Sequence, residues 1–261
     1  MTKLLQLTNK LFTDKSIQAL KQTCTELAEE PANDHVKDII CEESRLARLI
    51  HNSKFKGDSN IIDLIYHYGE FGSESTDPLN QYFANLSLAK GVNYRAELIN
   101  SVLMSMENKK VASIACGSGK EIPSISTNEY HCFDSDPNAI YKLELRDKQN
   151  VKTYCQNVIT SPIGKDYDFI YSAGLFDYFN NRLSRRVIKK LLASLKVGGK
   201  LLVANADKDA PDQKQMNNLL DWELIYKSKE ELASIVGGLE VDFDIIQDEF
   251  GAFNYMTIIK K

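Results

Sequence analysis

Val111-Ala112-Ser113-Ile114-Ala115-Cys116-Gly117-Ser118-Gly119-Lys120-Glu121 decides how the chain is read. A short apolar run with β-branched residues meets two glycines, then a charged turn that can open a helix. Such a run predicts a buried parallel strand whose C-terminal end faces a ligand. Gly117 and Gly119 lack the Cβ atoms that would hold a cofactor off the backbone, and a helix start beyond them would present unpaired N–H groups. Alone, the pattern is equally compatible with a plain turn after a strand.

The next segment favours the ligand. Tyr130-His131-Cys132-Phe133 reads as a second strand ending in Asp134-Ser135-Asp136-Pro137, with Asp134 17 residues beyond Gly117. A carboxylate at that strand tip can accept both hydroxyls of a ribose, as in nucleoside-binding doubly wound folds. The dinucleotide fingerprint asks for a third glycine where this chain has Ile122. A cofactor without a pyrophosphate has no need of that approach, so the departure points away from NAD.

Further on, Pro137 to Lys148 predicts a helix with proline in its first turn, and Val151 to Cys155 a third strand ending at Gln156-Asn157-Val158. Asp168 to Ser172 is the fourth strand, followed at the same edge by Ala173-Gly174-Leu175-Phe176-Asp177-Tyr178. Asp177 and Tyr178 are the polar candidates there, although Asp177 could equally cap the helix expected over Arg182 to Leu195. On that helix, Arg182, Arg185, Arg186, Lys189 and Lys190 read most simply as a solvated face, with contact to an acyl carrier as the alternative. Val197-Gly198-Gly199 should end the helix, and Lys200 to Asn205 forms a fifth strand. Asn205, Asp207, Lys208 and Asp209 then sit on another loop at that edge. Lys229 to Val236 is a helix, and Glu240 to Gln247 with Ala252 to Ile259 an antiparallel pair.

Upstream, residues 1 to about 106 read as helical. Leu4, Leu5, Leu7, Leu11 and Phe12 begin an apolar face that continues through Ala28; a second helix is expected from Asp34 to Ile50, and Ile61 to Tyr68 is a short apolar segment. Gly69 to Pro78 reads as a loop and Leu79 to Met106 as a last helix. So much helix ahead of the first strand suggests a cap over the site, or else an oligomerisation element that leaves a homodimer open.

The glycine loop Ala115-Cys116-Gly117-Ser118-Gly119, the strand end Phe133-Asp134-Ser135-Asp136-Pro137 and the segment Leu195-Lys196-Val197-Gly198-Gly199-Lys200-Leu201-Leu202-Val203 together resemble the class I S-adenosylmethionine-dependent methyltransferases, over about residues 90 to 261. Within these, Ser172-Ala173-Gly174-Leu175-Phe176-Asp177-Tyr178-Phe179 and Asp221-Trp222-Glu223-Leu224-Ile225-Tyr226 look most like bacterial enzymes making 3-hydroxy fatty acid methyl esters. The resemblance implies a Rossmann-like α/β fold with a seven-stranded sheet, mostly parallel with an antiparallel C-terminal strand. It also implies a division into a helical cap over 1–90 and a methyltransferase domain over 91–261. Ala115, Cys116, Gly117, Gly119, Asp134, Ser135, Asn157, Val158, Ala173 and Gly174 would hold S-adenosyl-L-methionine, with Asn157 at the adenine amino group. Asp177 and Tyr178 would serve catalysis. Tyr66, Tyr68, Glu70 and Asn205 would face the acceptor, with Phe71 completing an aromatic, glycine and acid cluster.

Bulk properties bound the function. A net charge of -4 gives no support for a nucleic-acid surface, which is ordinarily basic. The five cysteines form no C-x-x-C pair and suit reduced, buried thiols. The four histidines, His35, His51, His67 and His131, have no metal-ligand spacing, so no metal is expected. No leader or membrane-length apolar span is evident, which predicts a cytoplasmic protein. The expected activity is methyl transfer to a small molecule, with an acyl carboxylate leading; the alternatives are an N-methyltransferase of a small amine and a non-catalytic cofactor-binding module that contacts a partner protein.

Overall fold

A computed structural model describes residues 2–13, 16–71 and 77–261, with side chains at all of these except 2–5, 12 and 71. In chain order the elements are α1 (Thr2–Thr13), α2 (Ile17–Leu27), α3 (Asp34–Glu43), α4 (Arg45–Asn52), α5 (Ser59–Phe71), α6 (Pro78–Ala84), α7 (Ser87–Met104), β1 (Lys110–Ile114), β2 (Glu129–Asp134), α8 (Pro137–Glu144), β3 (Val151–Cys155) and β4 (Tyr167–Ser172). A 3-10 turn (Leu175–Tyr178), α9 (Asn181–Ser194), β5 (Leu195–Ala206), α10 (Gln213–Leu219), α11 (Lys229–Val236), β6 (Val241–Gln247) and β7 (Phe253–Lys260) complete the chain. They form two units, Met1–Asn93 with Ala210–Leu224, and Tyr94–Asp209 with Ile225–Lys261.

In the second unit seven strands form one sheet in the order β3-β2-β1-β4-β5-β7-β6. β1 to β5 pair in parallel, and β7 runs antiparallel to both β5 and β6. This is the mostly parallel sheet with antiparallel C-terminal pairing expected from the sequence. Four of the five residues of central β1 are buried, because successive side chains enter apolar layers on opposite faces. Ala112, Ile114, Ile170 and Val203 pack with Val187, Ile188 and Leu191 of α9 and Leu232 and Ile235 of α11. Val111, Cys132, Phe169 and Tyr171 pack with Ile99 and Leu103 of α7 and Ile140 and Leu143 of α8. The strand order reverses between β1 and β4, and in such sheets the crevice at that switch point receives ligands.

The first unit is helical, and its breaks differ from the expected ones. The helix expected from Asp34 to Ile50 is two, because Ser44 is extended (ψ 118) and caps α4 by accepting from Ala47 N. Likewise Ser16 caps α2 and separates it from α1. Gly69 continues α5 rather than opening a loop, Pro78 starts α6, and the expected loop residues 72–76 lie outside the described residues. The helix expected over Leu79 to Met106 divides between Ala84 and Ser87. Leu4, Leu5, Phe12 and Phe71 have side chains outside those described. Residues of α10 join this unit through Asn218, whose carbonyl accepts from Ala32 N at 2.7 Å and whose side chain donates to Ala28 O at 2.7 Å.

Two expectations in the second unit also change. No helix follows the glycine loop across residues 115–128. α9 ends at Ser194, and Val197-Gly198-Gly199 falls where β5 shifts register, between the Leu195–Tyr167 and Lys200–Phe169 pairs.

Asn80 is fully buried, and its Oδ1 accepts from Ser44 Oγ at 3.0 Å and Leu46 N at 2.9 Å. Asn80→Ala leaves both donors without that acceptor and should cost about 1–3 kcal/mol in urea unfolding. Ser16→Ala, at an exposed cap, should cost about 0.5–1 kcal/mol.

Candidate active site

The glycine loop turns by using left-handed backbone three times, at Ala115 (φ 55), Gly117 (φ 52) and Gly119 (φ 62). The two glycines do different work. A Cβ on Gly117 would meet nothing within 4 Å, so this position opens onto space. A Cβ on Gly119 would lie 2.8 Å from Leu143 Cδ1, so that glycine lets the loop pack on α8. With no helix to absorb them, the loop carbonyls need other donors. Arg146 Nη1 reaches Ser118 O and Gly119 O, Lys148 Nζ bonds Ile122 O and Pro123 O at 2.7 Å each, and Asn100 Nδ2 bonds Glu121 O at 2.9 Å. Sequence reading missed these clamps; Pro123 and the Ser, Thr and Asn residues among 124–128 were the available signal against a helix. Under the loop, the buried Glu121 carboxylate accepts from Tyr171 Oη at 2.9 Å, and burial raises its pKa above the ordinary carboxylate value.

Asp134, at the tip of β2, joins this loop to its own turn. Its Oδ2 accepts from Gly117 N and its Oδ1 from Asp136 N, both at 2.9 Å. Burial raises its pKa against those backbone donors. Ser135 is exposed beside it, while the Cys116 thiol is buried against Cys132, which together with burial pushes its pKa up. Of the cysteines, Cys24, Cys116 and Cys132 are buried as expected, whereas Cys41 is half-buried and Cys155 exposed. At the end of β3, Asn157 is exposed and its Oδ1 accepts from Ile159 N at 2.8 Å, so its side chain closes its own turn. Val158 is buried, its carbonyl taken by Lys190 Nζ at 2.5 Å. The fold thus brings the expected cofactor residues from Ala115 to Gly174 to the C-terminal ends of β1, β2, β3 and β4.

Asp177 is 3% exposed and does not cap α9; Asn180 does, accepting from Leu183 N at 2.9 Å. Asp177 Oδ1 instead accepts from Ala206 N at 2.7 Å, tying the turn after β4 to the end of β5. Burial pushes this carboxyl up to about 6, against the pull of Arg95. Asn205 is also fully buried: its Nδ2 donates to Ala206 O and Ile225 O at 2.9 Å, and its Oδ1 accepts from Lys227 Nζ at 2.7 Å. Lys227 is 1% exposed, bonds Phe176 O at 3.0 Å, and is lowered to about 8 by burial. The one available signal for an interior Lys227 is the apolar Leu224-Ile225-Tyr226 that precedes it. Tyr178 stands next to this network and is exposed. Tyr66, Tyr68 and Glu70 belong to α5 in the helical unit, where Tyr66 is buried.

The basic face of α9 is only partly solvated. Arg182, Arg186 and Lys189 are exposed, but Arg185 Nη1 bonds Ile235 O near the end of α11 at 2.5 Å, and Lys190 also holds Ser161 O at 2.6 Å. Among the described residues no group of three His, Cys, Asp or Glu is placed to hold a metal ion, and no helix is long and apolar enough to cross a membrane.

A carboxyl that binds its proton more tightly in the folded state stabilises the fold at low pH. For Asp177 that contribution is full below the unfolded value, near 4, and is lost as pH rises through about 6. Asp177→Asn keeps an acceptor for Ala206 N and removes the titration. Its stability relative to wild type should therefore rise between those pH values, on the order of 2–3 kcal/mol, in denaturant melts.

Residues 81–231 match the family described as tellurite resistance protein TehB. A possible exported protein from Bordetella parapertussis shares the fold over 99% of this chain and 96% of its own, with a TM-score of 0.73 at 15% identity. Magnesium protoporphyrin IX methyltransferase from Synechocystis PCC 6803, with S-adenosylhomocysteine bound, matches 76% of this chain and 94% of its own at TM-score 0.57 and 11% identity. A TehB-like S-adenosylmethionine-dependent methyltransferase from Corynebacterium glutamicum matches 64% and 87% at TM-score 0.50 and 13% identity. No curated protein sequence matches the chain. The family match gives no support to the narrower resemblance to 3-hydroxy fatty acid methyl ester enzymes. With that match over more than half its length, the chain belongs to the TehB family of S-adenosyl-L-methionine-dependent methyltransferases.

Proposed function

We propose that this methyltransferase acts on a small-molecule carboxylate, with the cofactor lying across the C-terminal ends of β1, β2 and β4. The observation that carries the placement is Gly117, whose missing side chain opens onto space beside the Asp134 carboxylate. A carboxylate has about four lone-pair sites, so after its two backbone bonds Asp134 retains acceptors for ribose hydroxyls. Ala173 and Gly174 would border the methionine part and the Asn157–Val158 turn the adenine. S-adenosyl-L-methionine supplies an activated methyl on a sulfonium.

The chain's own task is alignment and exclusion of water around an in-line displacement, with the acceptor atom at ~3 Å from the methyl carbon. A carboxylate acceptor is supported by how Asp177 is used. Its carboxyl is buried, and its Oδ1 is held by Ala206 N, which positions the turn that carries Tyr178. A carboxylic acid is already ionised at neutral pH and needs no general base, whereas an amine or hydroxyl would.

Labelled S-adenosyl-L-methionine, offered with panels of carboxylic acids and amines, should yield methyl esters. Methylated amines with no ester would overturn the acceptor assignment. In calorimetry Asp134→Ala should weaken S-adenosylhomocysteine binding by about 1.5–3 kcal/mol. Gly117→Ala should lose binding while unfolding cooperatively, at a stability cost of about 1–2 kcal/mol for the left-handed backbone.

A further inference from the structure

The crossovers from β2 to β3 and from β4 to β5 each carry a helix, but residues 156–166 cross from β3 to β4 without one. A parallel sheet is ordinarily covered on both faces. With α8 packed on one face of β2 and β3, closing the other is left to this loop. It closes that face incompletely. A cavity of about 200 Å³ remains, lined among others by Lys110, His131, Phe133, Tyr154, Ile163 and Tyr167. Lys110 and Tyr167 begin β1 and β4, at the opposite ends of those strands from the glycine loop and Ala173. The cavity therefore reaches back along the sheet face, whereas Gly117 opens beyond the strand tips.

Side chains hold the loop in place. Lys190 Nζ bonds Val158 O at 2.5 Å and Ser161 O at 2.6 Å, Gln156 Nε2 bonds Pro162 O at 2.7 Å, and Tyr167 Oη donates to Ile163 O at 2.5 Å. Four rings form the walls. Phe133 and Tyr154 stack at 4.7 Å with 12° between planes, and the His131 ring centre is 5.5 Å from those of both Tyr154 and Tyr167. Because the Tyr167 proton goes to Ile163 O, His131 Nδ1 donates to Tyr167 Oη at 2.9 Å, while its Nε2 faces the Glu129 carboxylate at 2.9 Å. Glu129 is also taken by Lys152 Nζ at 2.5 Å. Asp168 is taken by Lys196 Nζ at 2.8 Å and Lys110 N at 2.9 Å. Lys110 Nζ, by contrast, gives one bond among the described residues, to Lys165 O at 2.8 Å, and rests 4.7 Å from the centre of the Tyr167 ring. An ammonium has three donors, so Lys110 carries the unspent charge of the cavity.

We propose that this cavity binds a monocyclic aromatic carboxylate, with the ring packed among Phe133, Tyr154 and Tyr167 and the carboxylate on Lys110 Nζ. The size fits: a cavity of about 150 Å³ holds benzene, so the space here takes one ring with a small substituent. Aromatic walls favour a flat ring through offset and edge-to-face packing. Such walls alone would also welcome a cation, but Lys110 repels one and offers an anion charge-assisted bonds. The site is separate from the strand tips where methyl transfer is placed, so its ligand is a second molecule and not the methyl acceptor.

The full-length protein and its Lys110→Met and Tyr154→Ala variants would be titrated by calorimetry with benzoate, benzamide, benzylamine and cyclohexanecarboxylate, with and without S-adenosylhomocysteine. Wild type should bind benzoate roughly tenfold more tightly than benzamide and should not bind benzylamine. Benzoate affinity should be the same with and without S-adenosylhomocysteine. Lys110→Met should weaken benzoate roughly tenfold and leave benzamide unchanged, whereas Tyr154→Ala should weaken both. The comparison of probes on wild type needs no variant and serves as the test should Lys110→Met not fold. No binding of benzoate at millimolar concentration, or benzoate bound no more tightly than benzamide, overturns the proposal. So does a Lys110→Met variant that binds benzoate as wild type does, or that loses benzoate and benzamide equally, since Lys110 would then only hold the loop. Cyclohexanecarboxylate bound as tightly as benzoate overturns the aromatic assignment. Benzoate displaced by S-adenosylhomocysteine would put it at the strand tips and overturn the separate site.

Discussion

A glycine loop with no helix behind it must find partners for its own backbone, and the edge of this sheet depends on how it does so. Gly117 donates to Asp134, which fixes the tip of β1 to the tip of β2. Arg146, Lys148 and Asn100 take the carbonyls that a helix would have absorbed. Backbone polar groups left unpaired inside a protein cost as much as lost hydrogen bonds, so side chains distant in sequence replace a local ladder. The result is a loop held so that space stays open at Gly117.

The same economy governs the far side of the edge. Asp177, Asn205 and Lys227 form a buried polar network joining the turn after β4, the end of β5 and the segment before α11. Ionisable groups survive there because backbone atoms and one another satisfy most of their bonds. Burial nonetheless leaves its mark, pushing Asp177 up to about 6 and Lys227 down to about 8. These residues hold the edge together through buried bonds.

The parts of the architecture set by local pattern were legible in the sequence. Apolar β-branched runs marked the strands, Asp136-Pro137 marked the start of α8, and the spacing from Gly117 to Asp134 placed adjacent strand tips together. Features set by tertiary partners were not. Ser44 breaks a helical pattern because it caps α4 and finds Asn80; the expected helix after Gly119 yields to side-chain clamps; and Arg185 and Lys190, which read as solvent-facing, hold carbonyls of other segments. Arg95, inside an ordinary helical stretch, gave no sign of a buried guanidinium.

A crystal structure with S-adenosylhomocysteine is the most direct measurement of the central claim. The account predicts both ribose hydroxyls within hydrogen-bond distance of Asp134, with the nucleoside passing over the open face of Gly117. The product bound away from these residues, with Asp134 bonded only to its backbone donors, would contradict it.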